Sequence, residues 1–265
     1  MYQQPFGNGW HDSLQYHAFC GDKLFAVRVF WTQNLWHHSV WIYDGEVREI
    51  LNSEEPLVQS EKSYADLSNA CFSLSAPDDV VTIDVDVSGK GALNMRLTPQ
   101  QTLDGPSPIG PGLHHPNMLA EVTYQGETLS GLGYCKRYDF RGAPIRYWGY
   151  RFVHGTVSDH QWALWTADAT FGRDKHAYFR VVGSDGIVQQ APSRNSCHRD
   201  NNAYAIVDGI EYDVELDGLE WWETRLKASE MDSLLSQRLC RMKVHHGNKT
   251  ETGFALNELC FGTLG

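Results

Sequence analysis

The feature that most narrows what this chain can fold into is a rhythm. Short runs of alternating apolar and polar residues recur, and a turn signal breaks them about every ten residues. In Val80–Val87, Val81, Ile83, Val85 and Val87 face one way and Thr82, Asp84 and Asp86 the other. That is the pattern of a half-buried antiparallel strand, and it makes Asp84 and Asp86 a solvated face rather than a catalytic pair. Lys23–Phe30, Ser39–Tyr43, Val47–Leu51, Leu93–Leu97, Tyr150–His154, Trp162–Thr170, Lys175–Val182, Ile187–Gln190 and Ala203–Val207 read the same way. Met118–Leu129 reads as a hairpin about Gln125-Gly126. Asp208-Gly209 and Asp217-Gly218 read as turns on either side of Ile210–Leu216, with Trp221–Ala228 as the strand after them. This spacing predicts an all-β sandwich or barrel rather than strands alternating with helices.

Three segments are less regular. Residues 52–78 read as loops with one short strand near Cys71–Leu74. Residues 99–117 hold five of the ten prolines and read as a crossing segment without regular structure, of a length that suits a lid. Met231, Leu234, Leu235 and Leu239 fit a helical stripe, yet the same residues 230–242 also permit a strand. The Pro-rich crossing suggests two β units, 1–110 and 111–265, because both halves place one or two His before Trp-rich strands (HHSVWIY; YWGYRFVHG with DHQWALW).

Composition excludes several functions. The chain has 265 residues, 42% of them apolar, enough for a substantial core. Its net charge of −11 argues against nucleic acid or an anionic membrane as partner. No apolar run approaches a membrane span, and no secretory leader is legible at the N-terminus. The six Cys include no C-x-x-C pair, so the expectation is a cytoplasmic protein with reduced thiols. Three adjacent His pairs, 37–38, 114–115 and 245–246, raise a metal site. Adjacent residues of a strand point to opposite faces, however, and no carboxylate or Cys stands beside these pairs at ligand spacing. No nucleophile elbow, phosphate loop or dinucleotide fingerprint is present, and no cofactor is expected.

The richest stretch is Leu132–Arg151, LGYCKRYDFRGAPIRYWGYR, with four Tyr, one Trp, five Lys or Arg and an Asp. Rings with a few polar groups among them are what a pocket for an apolar or aromatic ligand needs. The alternative is an aromatic corner in which Arg side chains stack on rings. In a strand Trp148 and Tyr150 share a face, and Arg151 takes the other.

Gly131, Gly133 and Tyr134, then Trp148, Gly149 and Arg151, then Trp162 and Trp165, then Gly253 and Glu258, form a motif series that resembles the tandem-lipocalin proteins. That group includes carotenoid 1,2-hydratases, kievitone hydratase and AttH-like proteins. The resemblance implies two lipocalin-like antiparallel β-barrels packed together, with little helix. It further implies a buried apolar pocket where side chains do acid/base chemistry without a cofactor: hydration, or a related lyase, isomerase or cyclase reaction. The chain departs from the pattern before Trp148-Gly149, where Arg146-Tyr147 stands in place of an acidic residue and a His.

Such a reaction needs a general acid and a general base. His37, His38, His154 and Asp139 are the candidate bases. Tyr134, Tyr138, Tyr147 and Lys136 are the candidate acids. Arg137, Arg146 and Arg151 can steady an oxyanion, while Trp36, Trp148, Trp162 and Tyr150 supply stacking surface. Tyr134, Arg151 and one of His37 and His38 come first. The substrate expected is a small hydrophobic, aromatic or terpenoid molecule. A carrier that holds such a ligand unchanged is the alternative, and a homodimer stays open.

Overall fold

The computed structural model describes residues 11–264 except 33–34, 57–65, 106–111, 141–147, 158–161, 172–173, 184, 186–187, 192–195, 200 and 229–230. Strands dominate and, apart from one 3-10 turn at Pro77–Asp79, no helix occurs among the described residues. The chain divides into two units, Met1–Gly142 and Ala143–Gly265.

The first unit holds β1 (His11–Cys20), β2 (Lys23–Thr32), β3 (Leu35–Tyr43), β4 (Val47–Pro56), β5 (Asp66–Ser68), β6 (Phe72–Ser75), β7 (Val81–Val87), β8 (Gly91–Pro99), β9 (Leu103–Gly105), β10 (Gly112–Tyr124) and β11 (Glu127–Phe140). They form one sheet in the order β4-β3-β2-β1-β11-β10-β8-β7-β6-β5, with β9 on β10. Every pairing is antiparallel. The sheet curls so that its edges meet through side chains. Asn69, just past β5, donates to Glu55 on β4 and to His38 Nε2 on β3 at 3.1 Å. The second unit holds β12 (Trp148–Val157), β13 (Trp162–Phe171), β14 (Asp174–Val182), β15 (Val188–Ala191), β16 (Ser196–Arg199), β17 (Asn202–Val207), β18 (Ile210–Ala228), β19 (Met231–His246) and β20 (Lys249–Leu264). Their order is β15-β14-β13-β12-β20-β19-β18-β17-β16, and β15 comes back against β17. Each unit is a nearly closed, barrel-like sheet.

Alternation explains why each sheet curls. One face of the first sheet carries Leu14, Tyr16, Val27, Val40, Ile83, Met95 and Val122 in a single apolar cluster. The second has Val153, Leu164, Phe179, Val214, Met242 and Val244. Burying each such side chain contributes roughly 1.5–3 kcal/mol, and curling is how one sheet buries one face against itself.

In both units the first strand pairs with the last, and one glycine marks the pairing. A Cβ on Gly131 of β11 would lie 1.8 Å from the Phe19 carbonyl oxygen of β1. A Cβ on Gly253 of β20 would lie 1.8 Å from the Thr156 oxygen of β12. Superposing these contacts makes β1 equivalent to β12 and β11 to β20. His17 then corresponds to His154, Lys136 to Glu258, Asp12 to Gly149 and Arg137 to Leu259.

Several expectations change. The boundary falls after Gly142 rather than at 110, because β10 and β11 hydrogen-bond to β8 and β1. Of residues 230–242, those described, 231–242, are strand, paired throughout with β18 and β20. Asp217-Gly218 is not a turn. One strand runs through it with a register shift between Gly218 and Glu220, and the Arg238 side chain lies over Gly218. The Pro-rich segment is partly strand, in β9 and the start of β10, and its residues 106–111 lie outside the described ones. The aromatic stretch 132–151 is divided: Leu132–Phe140 ends the first unit and Trp148–Arg151 opens the second.

Candidate functional site

The strand pair β12–β20 sets an acid/base cluster on the face opposite the second unit's apolar cluster. Phe152 lies directly across from Glu258, so Tyr150 and His154, two residues either side, are the diagonal neighbours of Glu258. The Glu258 carboxylate is fully buried. It accepts from the Tyr150 hydroxyl at 2.6 Å and from Gln237 Nε2 at 2.7 Å. Gln237 is held in turn, since its Oε1 accepts from Trp222 Nε1 at 2.9 Å. An indole nitrogen only donates, so the Gln237 oxygen must face Trp222 and its NH2 must face Glu258. Each carboxylate oxygen therefore has its own donor. Tyr150 is half-buried, whereas Glu258 has no exposed surface. His154 is fully buried and shares the face. This arrangement can accept a proton through Tyr150 and store it on Glu258.

The first unit presents a polar face at the equivalent strands. His17 stacks on Tyr134 with ring centroids 5.6 Å apart, and His114 meets the Tyr134 edge at 6.1 Å. Lys136 is buried opposite Gln15 and His114.

His37 and His38 point to opposite faces, as adjacent strand residues must. His37 Nε2 lies 2.7 Å from Asn52 Oδ1, and the Asn52 NH2 is turned to Glu49 at 3.2 Å. The amide oxygen only accepts, so the His37 proton sits on Nε2 and Nδ1 is a bare lone pair. His38 is the opposite tautomer. Asn69 Oδ1 accepts from the backbone N–H groups of Cys71 and Phe72, so its NH2 donates to His38 Nε2 and the proton sits on Nδ1. Burial pushes both imidazoles down to about 4, and the Arg28 charge adds to this at His37. Trp36 stacks on His38 at 4.3 Å and Phe72 approaches it at 5.1 Å.

Other candidates have different surroundings. Arg137 is buried in a two-pronged pair with Asp12, Nε to Oδ1 at 3.2 Å and Nη2 to Oδ2 at 2.7 Å. Arg151 lies in register with Asp168 and Leu259, on the face opposite Tyr150 and His154. Trp162 donates to Glu251 at 3.2 Å and packs near Tyr212 and His246. Tyr138, Asp139 and Trp148 lie on strands, but their side chains fall outside the described residues, as do Arg146 and Tyr147 entirely. A groove of about 480 Å³ in the first unit, lined by Asn69, Cys71, Phe72, Asp84 and Asn94 among others, contains none of the candidates. Among the described residues no three His, Cys, Asp or Glu side chains converge as a metal site would require.

The residues that the sequence reading missed are Gln237, Trp222, His17, Asp12 and Asn69. Glu258 belonged to the motif series but had no assigned role. Trp222 and Gln237 stand 15 positions apart and meet only through the β18–β19 register, which no local pattern announces.

No protein-family model and no curated protein sequence matches the chain. Solved structures do. An AttH-type protein from Nitrosomonas europaea is 10% identical with a TM-score of 0.61, over 94% of this chain and 92% of that one. Kievitone hydratase from Nectria haematococca is 8% identical with a TM-score of 0.63, over 97% and 90%. CghA is 10% identical with a TM-score of 0.62, over 98% and 93%. The chain thus has the two-barrel, lipocalin-like fold of these proteins, the fold that its Gly, Trp and Glu motifs resemble.

Proposed function

We propose that this chain is a cofactor-independent hydratase or related lyase acting on a small hydrophobic molecule, aromatic or terpenoid in kind. The buried Glu258 carboxylate with the half-buried Tyr150 phenol on one oxygen is the observation that carries this reading. A buried carboxylate costs folding energy unless donors satisfy it, and Tyr150 and Gln237 both donate to this one. In the proposed step a water oxygen bonds to one carbon of a substrate C=C bond. Its proton passes to the Tyr150 oxygen as the Tyr150 proton passes to Glu258 Oε1. The same relay returns a proton to the neighbouring carbon, and dehydration is the reverse. The name of kievitone hydratase, one of the proteins that share the fold, points the same way.

The test is incubation with kievitone and a panel of alkene-bearing aromatic and terpenoid compounds, read by mass spectrometry for the gain or loss of one water. Glu258→Gln and Tyr150→Phe each lower turnover about 10²–10⁴-fold while the fold persists. Full turnover in Glu258→Gln overturns the relay. A compound retained tightly and released unchanged by the unsubstituted chain favours the carrier.

A further inference from the structure

The geometry points to a carboxylic acid binding site on the first unit, built from Arg28 of β2 and His37 of β3. It lies on the same face as His17 and Tyr134, opposite that unit's apolar cluster. Across β11, β1, β2, β3 and β4 a polar row runs Lys136, Gln15, Arg28, Ser39, Asn52, each residue directly opposite the next. His37 stands diagonally across from Arg28, paired with Phe30. The Arg28 guanidinium lies 5.4 Å from the centre of the Phe30 ring, and the same ring packs against His37 at 4.5 Å.

Among the described residues, two polar atoms here have no hydrogen-bond partner: Nη1 of Arg28 and Nδ1 of His37, both fully shielded from solvent. His37 is only 6% exposed. Arg28 is half-buried, and the Phe30 ring is its neighbour. An unsatisfied buried donor and an unsatisfied buried acceptor on diagonally neighbouring strand positions are costly, and each calls for a partner. The two atoms differ in kind. Arg28 Nη1 can only donate. His37 Nδ1 can only accept, because Asn52 fixes the imidazole proton on Nε2. A partner for both must offer an acceptor oxygen and an O–H within one small group. A carboxylic acid does so, its C=O taking the Arg28 hydrogen and its O–H lying on His37 Nδ1. The Phe30 ring beside both residues suits an aromatic acid.

In solution near neutral pH such a ligand is a carboxylate, so one proton enters with it and rests between the ligand oxygen and Nδ1. Binding then strengthens as pH falls, by about tenfold per unit between pH 7 and 5. The charged groups that face His37 are Arg28 from β2, Lys136 further along the row, and Glu49 and Glu54 from β4, with His38 on the other side of its own strand. The site stands independently of the reaction proposed above, since binding is read without turnover.

Isothermal titration of the full chain with benzoate, in two buffers of different ionisation heat, gives affinity and proton uptake together. Benzoate is expected to bind with uptake of about one proton, and Arg28→Gln to weaken it more than about tenfold. His37→Gln is expected to abolish the proton uptake. Circular dichroism checks each fold. Should Arg28→Gln unfold, Arg28→Lys, which keeps the charge and loses the fork, gives an intermediate loss. No benzoate binding at pH 5.5, binding indifferent to both Arg28 variants, or binding without proton uptake overturns the site. Phenol binding with no pH dependence in place of benzoate overturns the ligand class.

Discussion

In the first unit the pair β1–β11 carries His17 and Lys136; in the second, β12–β20 carries His154 and Glu258 at the equivalent places. The backbone is the same device twice, with a glycine pressed against the opposing carbonyl in each. The charge is inverted. The neighbouring strand follows suit, with His114 beside Lys136 and Gln237 beside Glu258. On the apolar face the relation changes again, since Asp12 and Arg137 pair in the first unit where Gly149 and Leu259 stand in the second. The scaffold is thus set by backbone packing, and each unit's chemistry by a handful of side chains placed on it. A carboxylate stands in one unit where a cation stands at the equivalent place in the other.

Substituting the two glycines is the most severe way to break this equivalence. Gly131→Ala and Gly253→Ala each drive a methyl into a backbone carbonyl, and each is expected to cost more than about 4 kcal/mol or to prevent folding. Chemical denaturation checks whether the two losses match; a large loss in one and none in the other breaks the comparison. Asp12→Asn tests what the first unit alone possesses. It removes the anion paired with a buried guanidinium, at a cost of about 3–5 kcal/mol, and Asp12→Leu with Arg137→Met restores most of it. A double-mutant cycle on unfolding free energies reads the coupling.

Charge inversion is sharpened by swapping roles. On the proposed relay, Glu258→Gln is expected to lower turnover about 10²–10⁴-fold and Lys136→Gln to lower it less, because the proposed proton store is the carboxylate. Equal losses in steady-state rate tell against that division. Acid provides a smaller contrast. The folded values of His37 and His38, about 4, lie below the ordinary 6.5, so the unfolded chain binds more protons between those limits. Stability is full above pH 6.5 and is lost as pH falls toward 4, by up to about 3 kcal/mol per imidazole. Melting temperature followed from pH 7 to 4.5 shows the fall, and His38→Leu flattens part of it. The smallest effect is a rate. Burial pushes the Cys20 and Cys240 thiols up to about 12, one in each unit, so both resist alkylation in the native state while half-buried Cys71 reacts before either. Mass mapping after brief labelling at pH 8 checks the order.

Much of the architecture was legible along the chain because a strand's period of two is a local property. Val81, Ile83 and Val85 announced an inner face without reference to any other residue, and Gln125-Gly126 announced its hairpin. The adjacent His pairs were likewise read correctly as splitting between faces. Residues 230–242 stayed ambiguous because Met231, Leu234 and Leu235 satisfy both periods, and only pairing with β18 and β20 decides for strand. The unit boundary was misplaced because proline density marks a break in regularity, not the edge of a sheet.

What the sequence by itself determined is therefore the fold class, the alternating faces and the short motifs, all functions of near neighbours in the chain. Only the tertiary structure decided that Tyr150 meets Glu258 across 108 positions, and that Gln237 and Trp222 stand behind it. It also decided that Arg137 is bound to Asp12 while Arg28 is left with a ring and a histidine. The physical reason is that hydrogen bonds and ion pairs act over a few ångströms in space, and the strand registers that bring such groups together are set by the burial of the whole apolar face.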